Sequence, residues 1–84
     1  MRFKATVTVP LKQPKSFSKQ FQSQCRLCAL HRTLVLVAET AQTMGVKNEA
    51  IPWKLERALP SAGEWKVEAT DRGKLDRFAA GHGH

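Results

Sequence analysis

Two cysteines and a histidine, spaced three residues apart, are the side chains of this sequence with the most distinctive chemistry. Cys25, Cys28 and His31 would occupy neighbouring positions on a helix, and thiolate and imidazole groups are ligands that suit zinc. His82 or His84 would complete a set of four ligands. A structural zinc site usually takes a second tight pair, however, and the sequence has a single Cys-x2-Cys pair. The sequence therefore predicts no metal and no cofactor, with zinc as the alternative.

The same pair has two further interpretations, a redox dithiol and ordinary packing residues. Cys-x2-Cys pairs are reactive when they follow a strand and begin a helix. The residues before Cys25 are rich in glutamine and do not indicate such a strand. Because free cysteine is often buried as a small apolar residue, packing in the core is favoured for both. The sequence shows no secretory signal, so we expect a cytoplasmic, intracellular protein with reduced thiols.

Catalytic motifs find little support in the sequence. It has no glycine-rich phosphate loop, no nucleophile elbow and no paired carboxylates beside a histidine. We therefore expect a protein that is not an enzyme.

The distribution of charge is the strongest indication of function. Residues 1–32 hold seven basic and no acidic residues, whereas the remainder holds seven of each, so the N-terminal third carries the whole net charge of +7. Such an asymmetry is typical of a surface that faces a polyanion, with nucleic acid first and an acidic protein or lipid headgroups next. A basic face that only keeps the protein in solution is the alternative.

The elements that must position these side chains begin with a strand. Residues 2–9 alternate, with apolar side chains on one side and basic or hydroxylated ones on the other, and Pro10 ends the pattern. The longest periodic apolar pattern follows at 27–44 and predicts a helix, with Gly45 at its C-cap. The β-branched run 33–38 would also suit a buried strand, and that alternative stays open.

The rest of the chain gives weaker signals. Ser16 would cap a short helix, and a further helix would start at Asn48 or Pro52 and end at Leu59. Residues 65–69 alternate and precede a turn at 71–74, which predicts a β-hairpin, although 75–80 would also suit a short terminal helix.

Together these patterns predict a small single α+β domain over residues 1–80. It would have an N-terminal strand, a central helix or helices and a C-terminal β-hairpin. Both tryptophans, Trp53 and Trp65, are expected in its core, and residues 81–84 are expected to be a mobile tail.

Part of the sequence resembles a ribbon-helix-helix DNA-binding domain. Lys4 to Val9 followed by Pro10 looks like the strand of that family, and 39–46 followed by 48–59 looks like its helix, glycine turn and second helix. The resemblance implies a dimer whose strand side chains, here Lys4, Thr6 and Thr8, face base edges. About twenty residues more than the family's pattern allows separate the strand from the glycine turn.

The leading hypothesis from the sequence is a small DNA-binding regulator of transcription without membrane association, and a homodimer is left open. The residues expected to bind nucleic acid are Arg2, Lys4, Thr6, Thr8, Lys12, Lys15, Lys19, Arg26 and Arg32. The alternative is a small protein-binding inhibitor or accessory subunit, of a mobile element or a larger assembly. Its basic third would then contact an acidic protein or RNA.

Overall fold

The protein is a ββαββα chain, and its computed structural model describes residues 1–61 and 63–80. The elements are β1 (Arg2–Val9), β2 (Lys15–Gln22), α1 (Arg26–Met44), a single 3₁₀ turn (Asn48–Ala50), β3 (Trp53–Ala58), β4 (Trp65–Ala69) and α2 (Lys74–Ala80). The α+β class predicted from the sequence is confirmed.

The four strands form one antiparallel sheet in the order β2-β1-β3-β4. β1 is a central strand, paired along its whole length with β2 and from Phe3 to Val7 with β3. A break in register between Leu55 and Glu56 interrupts the pairing of β3 with β4. β2 and β4 are therefore the two edges of the sheet.

The core lies between one face of the sheet and α1. Phe3, Leu30 and Leu55 are completely buried there, and Phe78 of α2 joins the same cluster. The alternation predicted for β1 explains this arrangement, because every second side chain of a strand faces the same side. Both helices pack on that side, and the opposite face of the sheet carries the polar residues of β1. We call it the open face.

The predicted central helix is confirmed, and the alternative of a strand at 33–38 is wrong. Leu30, Val37 and Ala41 are buried, as the apolar stripe requires. Gly45 ends α1 in the left-handed conformation with a φ of 68°, and its N–H donates to the carbonyl of Gln42. The β-branched residues are tolerated because packing against β1 and β3 stabilises the helix more than local propensity opposes it.

The short helix predicted to begin at Ser16 is wrong, because residues 15–22 form strand β2. Phe17 and Phe21 are four residues apart, a spacing that places two residues on one side of a helix and also on one side of a strand. Pairing with β1 decides the outcome, since it sets Phe21 opposite Phe3 with their rings 6.1 Å apart.

The helix predicted from Asn48 or Pro52 to Leu59 is also wrong. That segment forms a 3₁₀ turn followed by strand β3. A strand there pairs with the second edge of β1, which a helix could not do, and Leu55 is buried. In the ribbon-helix-helix resemblance, this segment stood for the second helix.

The C-terminal hairpin exists, but its strands differ from those predicted. β4 pairs with β3, which precedes it, and 74–80 form the terminal helix that the sequence left as the alternative. The predicted tail at 81–84 lies outside the described residues. None of the described helices is both long and apolar enough to cross a membrane.

Leu30→Ala should destabilise the fold by about 2 to 5 kcal/mol, because the truncation leaves a cavity at the contact between α1 and the sheet. Urea unfolding followed by circular dichroism measures the change in the free energy of unfolding. Gln42→Ala, on the exposed side of the same helix, is the matched control and should change it by less than about 0.5 kcal/mol. Equal effects of the two substitutions would contradict this placement of the core.

Candidate functional site

The nine residues predicted to bind nucleic acid do not lie on one surface. Four alternate along β1 and point to the open face: Arg2, Lys4, Thr6 and Thr8. Lys15 and Lys19 of β2 lie opposite the buried residues Val9 and Ala5, so they extend toward the helix side of the sheet. Arg26 and Arg32 belong to α1, and Lys12 lies in the β1–β2 turn. The basic third of the chain is therefore divided between two faces.

On the open face, much of the predicted binding set is already engaged within the protein. The Thr6 and Thr8 hydroxyls hydrogen-bond those of Ser18 and Ser16 across the strands, at 2.8 and 3.0 Å. These cross-strand pairs stabilise the β1–β2 ladder and leave the hydroxyls less free to contact a ligand.

The basic side chains of the open face are partly neutralised as well. The ammonium groups of Lys4 and Lys54 lie 3.8 and 3.7 Å from the carboxylate of Glu56, which is 8 % exposed. Lys4 and Arg2 also lie over the ring of Trp65, at 4.6 and 5.7 Å from its centroid. Trp65 is therefore on the open face and not in the core, whereas Trp53 packs against the buried residues between the sheet and α1, as predicted.

In contrast to the open face, the outer edge of β2 makes few contacts within the protein. It pairs with no further strand of the described chain and is little covered by the helices. α1 lies over β1 and β3, so the helix-side residues of β2 extend beyond it. Phe17 is 57 % exposed, and Val35 on the neighbouring side of α1 is 56 % exposed. The sequence does not indicate these exposed apolar residues, because their exposure depends on where the helix lies on the sheet.

A groove runs between β2 and α1. Its two adjoining parts have volumes of 330 and 300 Å³ and share Leu36 and Glu39. Phe21, Val35 and Leu36 line the first part, and Phe17, Leu36 and Met44 line the second. Glu39 is the one acidic residue among the described residues of its lining. We call this feature the β2 groove.

In the described residues, the cations on and beside β2 have no carboxylate within salt-bridge distance. In residues 1–61 and 63–80, none of Lys12, Lys15, Lys19 and Arg32 lies within 4 Å of a carboxylate. Arg32 instead lies over the ring of Phe21, 4.5 Å from its centroid. By contrast, Arg26 and Arg57 both contact Glu68, at 4.0 and 2.7 Å. The cations on and beside β2 are therefore available to an acidic ligand.

The two cysteines lie at the start of α1, next to each other. Cys25 is the N-cap of the helix, and its sulfur accepts a hydrogen bond from the Cys28 amide at 3.3 Å. The Sγ atoms are 2.9 Å apart. Cys25 is half-buried and Cys28 is exposed, so the interpretation of both as core residues is wrong. β2 ends three residues before Cys25, so the strand that the sequence did not indicate is present.

The environment sets the two thiols apart. A hydrogen bond from the Cys28 thiol, followed by one from the Cys28 amide, holds the pKa of Cys25 below its ordinary value. The same hydrogen bond between the two thiols, with desolvation as the second cause, raises the pKa of Cys28. Cys25 is therefore the better nucleophile, since the thiolate is the reactive form.

The alternative zinc site has no complete ligand set in the part of the chain that the structure describes. No group of three or more histidine, cysteine or acidic side chains is close enough there to hold a metal ion. His31 lines the β2 groove instead of joining the cysteines. His82 and His84 lie outside the described residues.

Iodoacetamide at about neutral pH should alkylate Cys25 before Cys28, because the lowered pKa of Cys25 gives it more thiolate. As the pH rises, labelling of Cys25 should begin at a lower pH than labelling of Cys28. Peptide mapping by mass spectrometry measures both rates. The urea-unfolded chain is the control, in which the two cysteines should react alike. Equal rates in the folded protein would contradict the assignment.

No protein-family model matches the chain, and neither the curated proteins nor the solved structures that were searched contain a match. The contacts, exposures and charges of its own residues are therefore what supports a function for this protein.

Proposed function

We propose that this protein is a binding module that captures an extended, acidic segment of a partner protein along the β2 edge. The segment adds a fifth strand to the sheet beside β2 and places its apolar side chains in the β2 groove. The observation that carries the proposal is the coincidence of three features at one margin: an unpaired strand, an apolar groove and cations without acidic partners.

The unpaired backbone groups of β2 supply the affinity in this mode of recognition. An exposed strand edge is a template for one further strand, whose main-chain hydrogen bonds continue the ladder. All residues of β2 except Phe21 are well exposed, so nothing in the described chain blocks the approach. The apolar groove adds the burial that main-chain pairing alone lacks.

The side chains of β2 define what the partner must carry. On the helix side, β2 presents Phe17, Lys19 and Phe21 in alternation. A paired strand sets its own side chains directly opposite these three, on the same side of the sheet. The complementary segment therefore has an apolar residue, an acidic residue and a further apolar residue at every second position.

A second copy of this chain fits the β2 edge less well than an acidic partner. Antiparallel pairing of β2 with its twin would bring Lys15 and Lys19 close to the same cations of the other copy, and like charges across a strand pair are destabilising. A dimer in solution is therefore an outcome that would count against the proposal, and native mass spectrometry detects it directly.

Selection from a displayed peptide library should enrich segments with the pattern apolar-x-acidic-x-apolar. Lys19→Glu should weaken binding of the selected peptides about fivefold to tenfold, because it replaces a cross-strand attraction by a repulsion. The same variant should favour peptides with a basic residue at the central position. Isothermal titration calorimetry measures both changes.

Lys47→Glu is the matched control, since it makes the same change of charge in an exposed residue beyond the far end of α1. It should bind the selected peptides like the unmodified protein. Selection of peptides without an acidic preference, or an equal loss from the two variants, would refute the proposal.

The open face supports a second candidate function, the binding of nucleic acid. Arg2 and Lys4 lie there over the ring of Trp65, with Lys54 on the same face, and cations with an aromatic ring are the usual means of binding a single strand. The acidic residue between the lysines and the internal hydroxyl pairs count against it, which makes it the second candidate.

If the open face binds nucleic acid, Lys4→Ala should weaken binding and reduce its salt dependence by about one ion. Fluorescence anisotropy with a labelled duplex and a labelled single strand, over a series of salt concentrations, measures both effects. Lys47→Ala is the control. Absence of binding to either probe at low salt would remove this candidate and leave the peptide-binding proposal untouched.

A further inference from the structure

The dithiol at the start of α1 adjoins a cleft that the proposed function does not use. Cys25 is in the wall of a cleft of 550 Å³ between the start of α1, β4 and α2. Four cations also line it, Arg26, Lys66, Lys74 and Arg77, against one carboxylate, that of Glu68. The cleft lies away from the β2 groove and shares no lining residue with it.

Most of the positive charge in this cleft is not neutralised. The carboxylate of Glu68 is engaged by Arg57 at 2.7 Å and by Arg26 at 4.0 Å. Within the described ranges, neither Lys66, Lys74 nor Arg77 lies within 4 Å of a carboxylate. A small anion that enters the cleft is therefore attracted toward the sulfur of Cys25.

We propose that Cys25 and Cys28 form a reversible disulfide by exchange with an anionic low-molecular-weight disulfide that docks in this cleft. Two independent observations support it: the adjacent thiols and the cationic cleft beside one of them. The spacing of the cysteines suits closure, because residues three apart at a helix start bring their side chains onto the same side. The proposal does not depend on the β2 edge.

The exchange proceeds in two displacements. The Cys25 thiolate attacks one sulfur of the small disulfide, whose S–S bond breaks, and the departing thiolate takes up a proton. Cys28 then loses its proton and attacks the Cys25 sulfur of the mixed disulfide, which releases the second small thiol. Two protein thiols are oxidised by two electrons in total, and one small disulfide is reduced to two thiols.

The two cysteines have different roles in the two displacement steps. Cys25 lies in the wall of the cleft and has the lowered pKa, so it makes the first attack. Cys28 is exposed and 2.9 Å away, so it resolves the mixed disulfide. Closure gives the first turn of α1 a covalent bond between its N-cap and the helix.

The test uses the reduced full chain with two probes of opposite charge, glutathione disulfide, which is anionic, and cystamine, which is a dication. Intact-mass spectrometry over time separates the mixed disulfide from the closed form. We expect the folded protein to close with glutathione disulfide, Cys28→Ser to stop at a mixed disulfide on Cys25, and Cys25→Ser to react slowly. A Cys28→Ser variant that reacts no faster than Cys25→Ser would overturn the order of attack.

The ratio of the reaction rates with glutathione disulfide and with cystamine measures the contribution of the cleft. Relative to the same ratio in the urea-unfolded chain, the folded protein should prefer glutathione disulfide roughly tenfold, and added salt should reduce the preference. The double variant Lys74→Glu and Arg77→Glu should abolish it, whereas Lys47→Glu, near the other end of α1, should retain it. Circular dichroism verifies that each variant is folded. Equal ratios for the folded and unfolded chains would refute the role of the cleft.

Discussion

The difference in width between one helix and a four-stranded sheet is the constraint on which the rest of this structure depends. A helix with its side chains is about 10 Å wide, and strands are spaced about 4.8 Å apart, so α1 covers about two strands. It lies over β1 and β3, where Phe3, Leu30 and Leu55 form the core. Phe78 of α2 adds to the side chains that cover the core, and the helix side of β2 is left largely exposed.

Each proposed site follows from this off-centre packing. At the uncovered margin, the apolar side chains of β2 and α1 border a groove, and in the described chain no carboxylate lies within 4 Å of the cations there. On the other side, the start of α1, β4 and α2 enclose the cleft beside Cys25. The acidic residues that neutralise basic ones, Glu56 and Glu68, both belong to the β3–β4 hairpin. Lys4, Arg26, Lys54 and Arg57 are neutralised by these two carboxylates, whereas the described cations along β2 and those beside α2 are not.

The sequence predicts those elements whose patterns admit a single period. The alternation of β1 and the stripe of α1 up to Gly45 are clear, and both elements are present. β2 and β3 were predicted as helices because a spacing of four residues satisfies both a helix and a strand. Their identity depends on pairing with the two edges of β1, which no local pattern contains.

The candidate sites were predictable only in part, for the same physical reason. The order of charged residues in the sequence shows that the N-terminal third is basic. It does not show which of these cations are neutralised by Glu56 and Glu68, because those contacts join residues that are distant in the chain. The cysteine pair is visible in the sequence, yet its setting depends on β2, which was predicted as a helix. The β2 groove depends on where α1 lies and has no signal in the sequence.

The two edges of the sheet also differ in how they resist association with other sheets. β4 has five residues, and its pairing with β3 is broken by a shift in register, both of which make a poor template for another strand. β2 has eight residues and an even register with β1, so Lys15 and Lys19 are its main protection against pairing with other copies. In the proposed function these lysines attract an acidic segment, and the same positive charge opposes pairing of β2 with other copies of the chain. That protection weakens as salt screens their charge.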